Sequence, residues 1–280
     1  MAKERGDGMR RRKKLIRTHE WVFMSIVCIL IIGLLGYSEI TKAIDNEEYI
    51  VTFTPEKEMC CQLKKEQPLR LTEPTVTVSP PENVVYLTFD DGPSESTEAI
   101  LSLLKRYQAR ATFFMLSPAM EKYPEGMKRM VEEGHSFGLH GVSHNAKSFY
   151  ESTSSILGEL TEGNRVLERI TGKQTMLIRT PYGSVPYMTK TYRQVVKEEG
   201  YLLWDWNIDS RDWEYKDVRY VQDTIYQLEQ VVREGKVPVI LLHDKKSTLD
   251  HLERLLVYLQ NNGYVMEALN EHLSPIQFKS

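Results

Sequence analysis

The sequence predicts an α/β fold: a small or incomplete (β/α) barrel of about seven units, or alternatively an open doubly wound sheet, behind a single N-terminal transmembrane helix and an extended stalk. Three observations predict it. From Val84 onward, short apolar runs alternate with amphipathic segments; near the start an uncharged apolar run follows a basic stretch; and a proline-spaced, charge-mixed segment separates the two. The composition of the 280 residues, 41% hydrophobic and 27% charged, excludes a collagen-like, low-complexity or wholly disordered chain.

Residues 1–20 hold eight Lys or Arg against three Asp or Glu, and read as a basic cytoplasmic tail. Residues 21–37, WVFMSIVCILIIGLLGY, carry no charge. As a helix they extend about 25 Å, close to the ~30 Å hydrocarbon core of a bilayer. A cleaved signal peptide is the rival reading, with Thr41-Lys42-Ala43 as a weak cleavage site. Its apolar region is usually ~7–15 residues, so the longer run here favours an uncleaved anchor. Either way the remainder lies outside the membrane, on its extracytoplasmic side. Residues 38–80 read as a stalk, because Pro68, Pro74 and Pro80 favour extended or polyproline geometry. Residues 81–280 form the expected catalytic head.

Beyond residue 20 the chain holds 28 basic against 36 acidic residues, a net charge of -8. An acidic body argues against nucleic acid as a partner, since phosphate binding needs clustered Lys and Arg. Cys28 falls in the anchor, and Cys60 and Cys61 are adjacent in the stalk. No Cys follows, so the head has no disulfide and no thiol nucleophile.

Candidate strands in the head are 84–88, 111–115, 136–140, 175–179, 201–206, 238–242 and 263–268. Helix-like stretches lie between them at 95–107, 120–133, 152–170, 187–199, 217–234 and 247–261. Gly134, Gly172, Gly200 and Gly263 stand where helices should stop. This alternation implies parallel strands with crossover helices.

In such folds active sites form at the carboxyl ends of the strands. Strand one runs into TFDDGP, with Asp90 and Asp91; strand three into HGVSH, with His140 and His144; strand four into RTPYG, Arg179 to Gly183. Strand five runs into DSRDW, Asp209 to Trp213, and strand six ends in LLH at His243. Each motif alone has a bland reading. Asp-Asp-Gly-Pro is first a turn, Asp209 and Asp212 suit helix caps, and His243 suits a core. All of them on one rim is a stronger signal. A metal hydrolase needs three protein ligands and an open position, which two histidines and a carboxylate provide. A second carboxylate can take a proton from water and another histidine can protonate the leaving group. Asp90 and Asp91 point to opposite sides if strand geometry persists, and spacing leaves open which of them ligates. His19, His135, His251 and His272 read as surface or structural residues.

At these motifs the chain resembles the polysaccharide deacetylases of carbohydrate esterase family 4, the NodB-homology domain, from Val84 to Leu269. The resemblance implies a distorted (β/α) barrel of about seven strands. It also implies roles: Asp90 as base, Asp91, His140 and His144 as ligands of one divalent metal ion, usually Zn2+, with Co2+, Mn2+ or Ni2+ accepted by relatives. Arg179 would orient the base, and the Tyr182 backbone N–H would help hold the oxyanion. His243 would be the general acid, tuned by Asp212, while Trp213, Leu241 and Tyr182 would contact substrate. Where the family usually has Ser or Thr after its first motif histidine, this chain has Gly141.

The implied function is hydrolysis of N-acetyl groups on a glycan polymer, foremost peptidoglycan N-acetylglucosamine, by a membrane-anchored enzyme with no protein partner. Chitin oligomers, exopolysaccharide and O-acetyl esters are alternative substrates. A catalytically silent glycan-binding protein of the same fold is the alternative of another class.

Overall fold

Strand β1 (Val84–Asp90) is buried along all seven residues, as a strand covered on both faces must be. It opens the described part of the computed structural model, residues 83–279. The expected tail, the transmembrane segment 21–37, the stalk 38–80, and Cys28, Cys60 and Cys61 lie outside the described residues. Among the described residues, no helix is long and apolar enough to cross a membrane.

After β1 the chain runs α1 (Thr97–Arg106), β2 (Thr112–Met115), α2 (Ser117–Lys122), α3 (Pro124–Glu132) and β3 (Ser136–Leu139). Then come α4 (Ala146–Phe149), α5 (Thr153–Thr171), β4 (Leu177–Ile178), α6 (Lys190–Glu198), β5 (Leu202–Leu203) and β6 (Ile208–Asp209). It ends with α7 (Asp212–Tyr215), α8 (Arg219–Arg233), β7 (Val239–His243), α9 (Lys246–Asn261) and β8 (Val265–Glu267). The helix expected over 120–133 is two helices, because Pro124 supplies no N–H and forces Tyr123 out of helical geometry, at φ -128° and ψ 56°. Gly172 ends α5 at φ 71°, a left-handed conformation that glycine adopts without a Cβ penalty.

Every strand pair is parallel, and the order is β5-β4-β3-β2-β1-β7-β6. One flank of β1 takes β7, from Tyr86 opposite Val239 to Asp90 opposite His243. The other is shared, β8 beside Val84–Tyr86 and β2 beside Thr88–Asp90. Strands β5 and β6 follow each other in sequence yet stand at opposite ends of the order. The sheet is therefore a curled, incomplete barrel of eight strands among the described residues, one more than expected. The extra one, β6, is two residues long, too short to show a hydrophobic period. Across the gap, the Asp205 N–H donates to the Ile276 carbonyl at 2.8 Å and the Phe278 N–H to Asp205 Oδ2 at 2.7 Å.

Strand residues divide between two faces with a period of two. Val85, Leu87, Phe89, Phe113, Met115, Ile178, Ile240 and Leu242 join the large core under the helices. Val84, Tyr86, Phe114, Leu177 and Val239 join a smaller cluster inside the barrel. Continuing the inner set toward the carboxyl ends gives Thr88 and Asp90 on β1, Arg179 after β4, and Leu241 and His243 on β7. Gly138 lies opposite Phe114, and a Cβ there would sit 2.2 Å from the Phe114 ring. Glycine is needed for that aromatic to fill the interior.

Candidate active site

Arg179 is the pivot of the site. It is fully buried, and its Nη1 donates to Asp90 Oδ1 at 2.9 Å and Thr88 Oγ1 at 2.7 Å. Nη2 donates to the Asp205 carbonyl at 3.1 Å and Nε to the Trp204 carbonyl at 3.3 Å. The guanidinium also lies 4.2 Å over the Phe114 ring. A buried charge is tolerated when paired and hydrogen-bonded in this way. Asp90 Oδ1 is thereby fixed, and Oδ2 faces His140 Nε2 at 3.8 Å.

Asp91 and Asp90 do not face opposite sides, as continued strand geometry would require. Asp91 takes φ 70°, a left-handed conformation that Asp tolerates better than most residues, and this turns its carboxylate into the same pocket. Asp91 Oδ1 lies 3.6 Å from His140 Nε2 and 3.3 Å from His144 Nε2. Its Oδ2 accepts from Lys245 Nζ at 2.8 Å. Burial pushes this carboxyl up, but His140, Lys245 and His243 outweigh it and hold it down at about 2.

His140 Nδ1 sits 2.6 Å from the Arg179 carbonyl, which can only accept, so Nδ1 is the donor there and Nε2 is the ring nitrogen that faces Asp91. His144, at φ 46°, ends the tight loop that brings its ring 5.1 Å from that of His140. Burial, together with His140, lowers its affinity for a proton. Donor atoms of Asp91, His140 and His144 all lie within 4.8 Å of one another. Asp91 Oδ1 is buried with no hydrogen-bond partner. Tetrahedral Zn2+ with ~2.0–2.2 Å bonds has its ligand atoms about 3.4 Å apart, so the set fits one divalent ion.

Opposite stands a second pair. His243 Nδ1 is 2.7 Å from Asp212 Oδ1, and its backbone N–H donates to Asp212 Oδ2, also at 2.7 Å. Thr248 Oγ1 donates to Oδ2 as well, at 2.5 Å. Burial opposes charge on both partners, but the shared hydrogen bond prevails. It raises the His243 pKa and lowers that of Asp212. The pairing thus favours the protonated imidazole, and His243 lines the pocket.

The cavity between these pairs measures about 410 Å³ and is lined by Asp90, Asp91, His140, His144, Tyr182, Gly183, Trp206, Asp209, Trp213, Leu241, His243 and Lys245. Leu241 is buried, whereas Trp213 and Tyr182 are 48% and 55% exposed at the mouth. Tyr182, at φ 65°, donates its hydroxyl to the His144 carbonyl at 3.0 Å. Its backbone N–H has no acceptor among the described residues. All eleven residues singled out from the motifs (Asp90, Asp91, His140, His144, Arg179, Tyr182, Asp209, Asp212, Trp213, Leu241, His243) line this cavity or bond directly to residues that do. Asp209 is not in a loop but on β6, where burial raises its pKa.

Sequence reasoning missed Lys245, Asp244 and Glu159. Lys245 and Asp244 directly follow LLH and were open to the same rim argument. Buried Asp244 accepts from Ser94 Oγ at 2.7 Å and Thr97 Oγ1 at 2.5 Å, tying the loop after β1 to α1. Glu159 is mid-helix and gave no local signal.

Comparison with known proteins agrees with this geometry. The sequence model described as polysaccharide deacetylase matches residues 77–204. YheN of Bacillus subtilis (strain 168), provisionally named a polysaccharide deacetylase, is 39% identical over 90% of this chain and 92% of its own. A peptidoglycan-N-acetylglucosamine deacetylase of Bacillus cereus (strain ATCC 14579) is 32% identical over 92% of this chain and 94% of its own. The crystal structure of the polysaccharide deacetylase Bc1974 from Bacillus cereus superposes with a TM-score of 0.61 at 36% identity, covering 70% of this chain and 97% of that one.

Proposed function

Starting from the polysaccharide deacetylase family, to which this chain belongs, we propose that it removes N-acetyl groups from peptidoglycan N-acetylglucosamine, releasing acetate and a free amine. The observation that carries this reading is the convergence of Asp91, His140 and His144 within 4.8 Å of one another, beside the buried Asp90 carboxylate and the Asp212-paired imidazole of His243. The substrate choice is supported by the named activity of the Bacillus cereus relative.

Asp91, His140 and His144 would hold the ion, most readily Zn2+. When bound, the ion acts as a Lewis acid and lowers the pKa of water toward ~7. Asp90, aimed by Arg179, takes the proton from the attacking water. The Tyr182 backbone N–H donates to the developing oxyanion. His243 delivers its Nε2 proton to the leaving nitrogen, and Asp212 keeps it charged until then. Leu241 and Trp213 enclose the acetyl methyl and exclude water from it. No acyl-enzyme is needed.

The uncharged run at 21–37 supports membrane attachment, with the basic tail 1–20 in the cytoplasm, the stalk 38–80 spanning outward and the head 81–280 at the wall. The test is to incubate the protein with purified peptidoglycan and with chitin oligomers, with and without chelator, and to follow acetate and the mass of each sugar. A 42 Da loss per acetyl group on N-acetylglucosamine of peptidoglycan, abolished by chelator and restored by Zn2+, is expected, about 42 Da being acetyl exchanged for hydrogen in any amide hydrolysis. Chelator-resistant release, or release from chitin alone, contradicts the proposal.

A further inference from the structure

The loop that carries both histidines has to reverse within five residues, His140 to His144, so that both Nε2 atoms reach Asp91 Oδ1. It spends two left-handed conformations doing so, φ 93° at Gly141 and φ 46° at His144. Some of its polar groups bond to the neighbouring strand end and rim. The His140 N–H donates to the Met115 carbonyl at 2.8 Å, and the Gly141 carbonyl accepts from the Ser117 N–H at 3.0 Å. The His144 carbonyl accepts from Tyr182 Oη. The two central amides turn the other way, toward α5. Val142 N–H and Ser143 N–H both donate to Glu159 Oε2, at 2.7 and 3.0 Å. Ser143 Oγ donates to Glu159 Oε1 at 2.7 Å, and the same Oγ accepts from the Asn145 N–H. Among the described residues, no other group accepts from these two amides.

Glu159 is held by the helix it stands on, since α5 buries Ile156, Leu160, Val166 and Leu167. Gly141 is what lets the carboxylate come so close. A Cβ at 141 would lie 2.8 Å from Glu159 Oε2 and 3.0 Å from Phe149 Cε2. The bare backbone at 141 and the carboxylate at 159 therefore work as a single device.

We propose that Glu159 is a positioning residue for the metal site, anchoring the His140–His144 loop so that both imidazoles meet Asp91 Oδ1 in the geometry one divalent ion requires. This rests on the reading of Asp91, His140 and His144 as the ion's ligands. It acts through backbone amides and a hydroxyl, and touches neither ion nor substrate.

The test is Zn2+ affinity of the full chain, measured by competition with a chromophoric chelator, beside the melting temperature of the metal-free protein. Outer partners of metal ligands typically set affinity by 10–100-fold, and Glu159→Ala should lose about that much. The metal-free melting temperature should fall only modestly, because Val142 is half-buried and Ser143 exposed, so water can take up their freed amides, and Ala is well tolerated on the helix. Glu159→Gln should bind nearly as the parent does, since its carboxamide oxygen still accepts both amides. Asp91→Ala should abolish binding. If Asp91→Ala binds as the parent does, the ligand assignment fails. If Asp91→Ala loses Zn2+ while Glu159→Ala keeps parental affinity, only the role of Glu159 is overturned. As a second readout, amide exchange at Val142 and Ser143 should be slow in the metal-free parent; exchange there at open-loop rates overturns the proposal whether or not the variant folds.

Discussion

At the scale of single residues, the site separates charges by environment. Asp212 and His243 are both largely buried, yet each stabilises the charged form of the other. The pair therefore has a pH window with two edges. The raised His243 value makes its contribution full below the ordinary histidine pKa and lost as pH rises through the elevated folded one. The lowered Asp212 value makes its contribution full above the ordinary aspartate pKa and lost as pH falls through the depressed folded one. In Asp212→Asn the imidazole loses its counter-charge and gives up its proton at lower pH. The alkaline limb of the kcat/KM–pH profile should shift acidward, with kcat lower at every pH above it. An unmoved limb removes His243 from the role of acid.

At the scale of elements, the two-residue alternation along the strands sorts the site. Asp90, Leu241 and His243 share the inner parity of Val84 and Val239, so an apolar strand delivers polar groups to the rim without disturbing the core under the helices. The seam between β5 and β6 is managed differently. Trp206, a wall of the cavity, packs edge-on against Phe278 with ring centroids 4.9 Å apart, and Gly183 lies under both rings. Phe278→Ala should cost about 1 kcal/mol from the lost aromatic pair, read by urea unfolding. It should raise KM several-fold with kcat nearly unchanged, because Trp206 lines the cavity and touches the proton-transfer groups only through the Arg179 guanidinium, 5.5 Å over its ring. A fall in kcat at constant KM would show that the terminal segment acts on the chemistry instead.

At the scale of the whole molecule, stability should begin to fall in mild acid because of one buried histidine. Buried His135 accepts from the Ala111 N–H at 3.1 Å, and burial holds its pKa at about 4. The unfolded chain takes up this proton near pH 6.5 and the folded chain only near 4, so stability is lost as pH falls between them. The loss is on the order of 3 kcal/mol. In His135→Gln, the drop in unfolding free energy over that interval should shrink; an unchanged slope would assign the acid sensitivity elsewhere. This group lies far down the chain's fold from the rim, at the amino end of β3, so the two pH dependences can be measured separately.

The α/β class, the parallel alternation, most strand and helix positions and the rim motifs were legible in the sequence, because hydrophobic period, glycine stops and polar residues after apolar runs are local properties. Tertiary structure decided what depends on distant contacts. Asp91 joins Asp90 in one pocket because a left-handed turn overrides the strand's alternation. Strand β6 exists because two residues found β7 to pair with. Lys245 reaches Asp91 from 154 positions away, and Glu159 reaches the His140–His144 loop from the middle of a helix. In each case the partner is supplied by another part of the chain, and one-dimensional spacing carries no record of it.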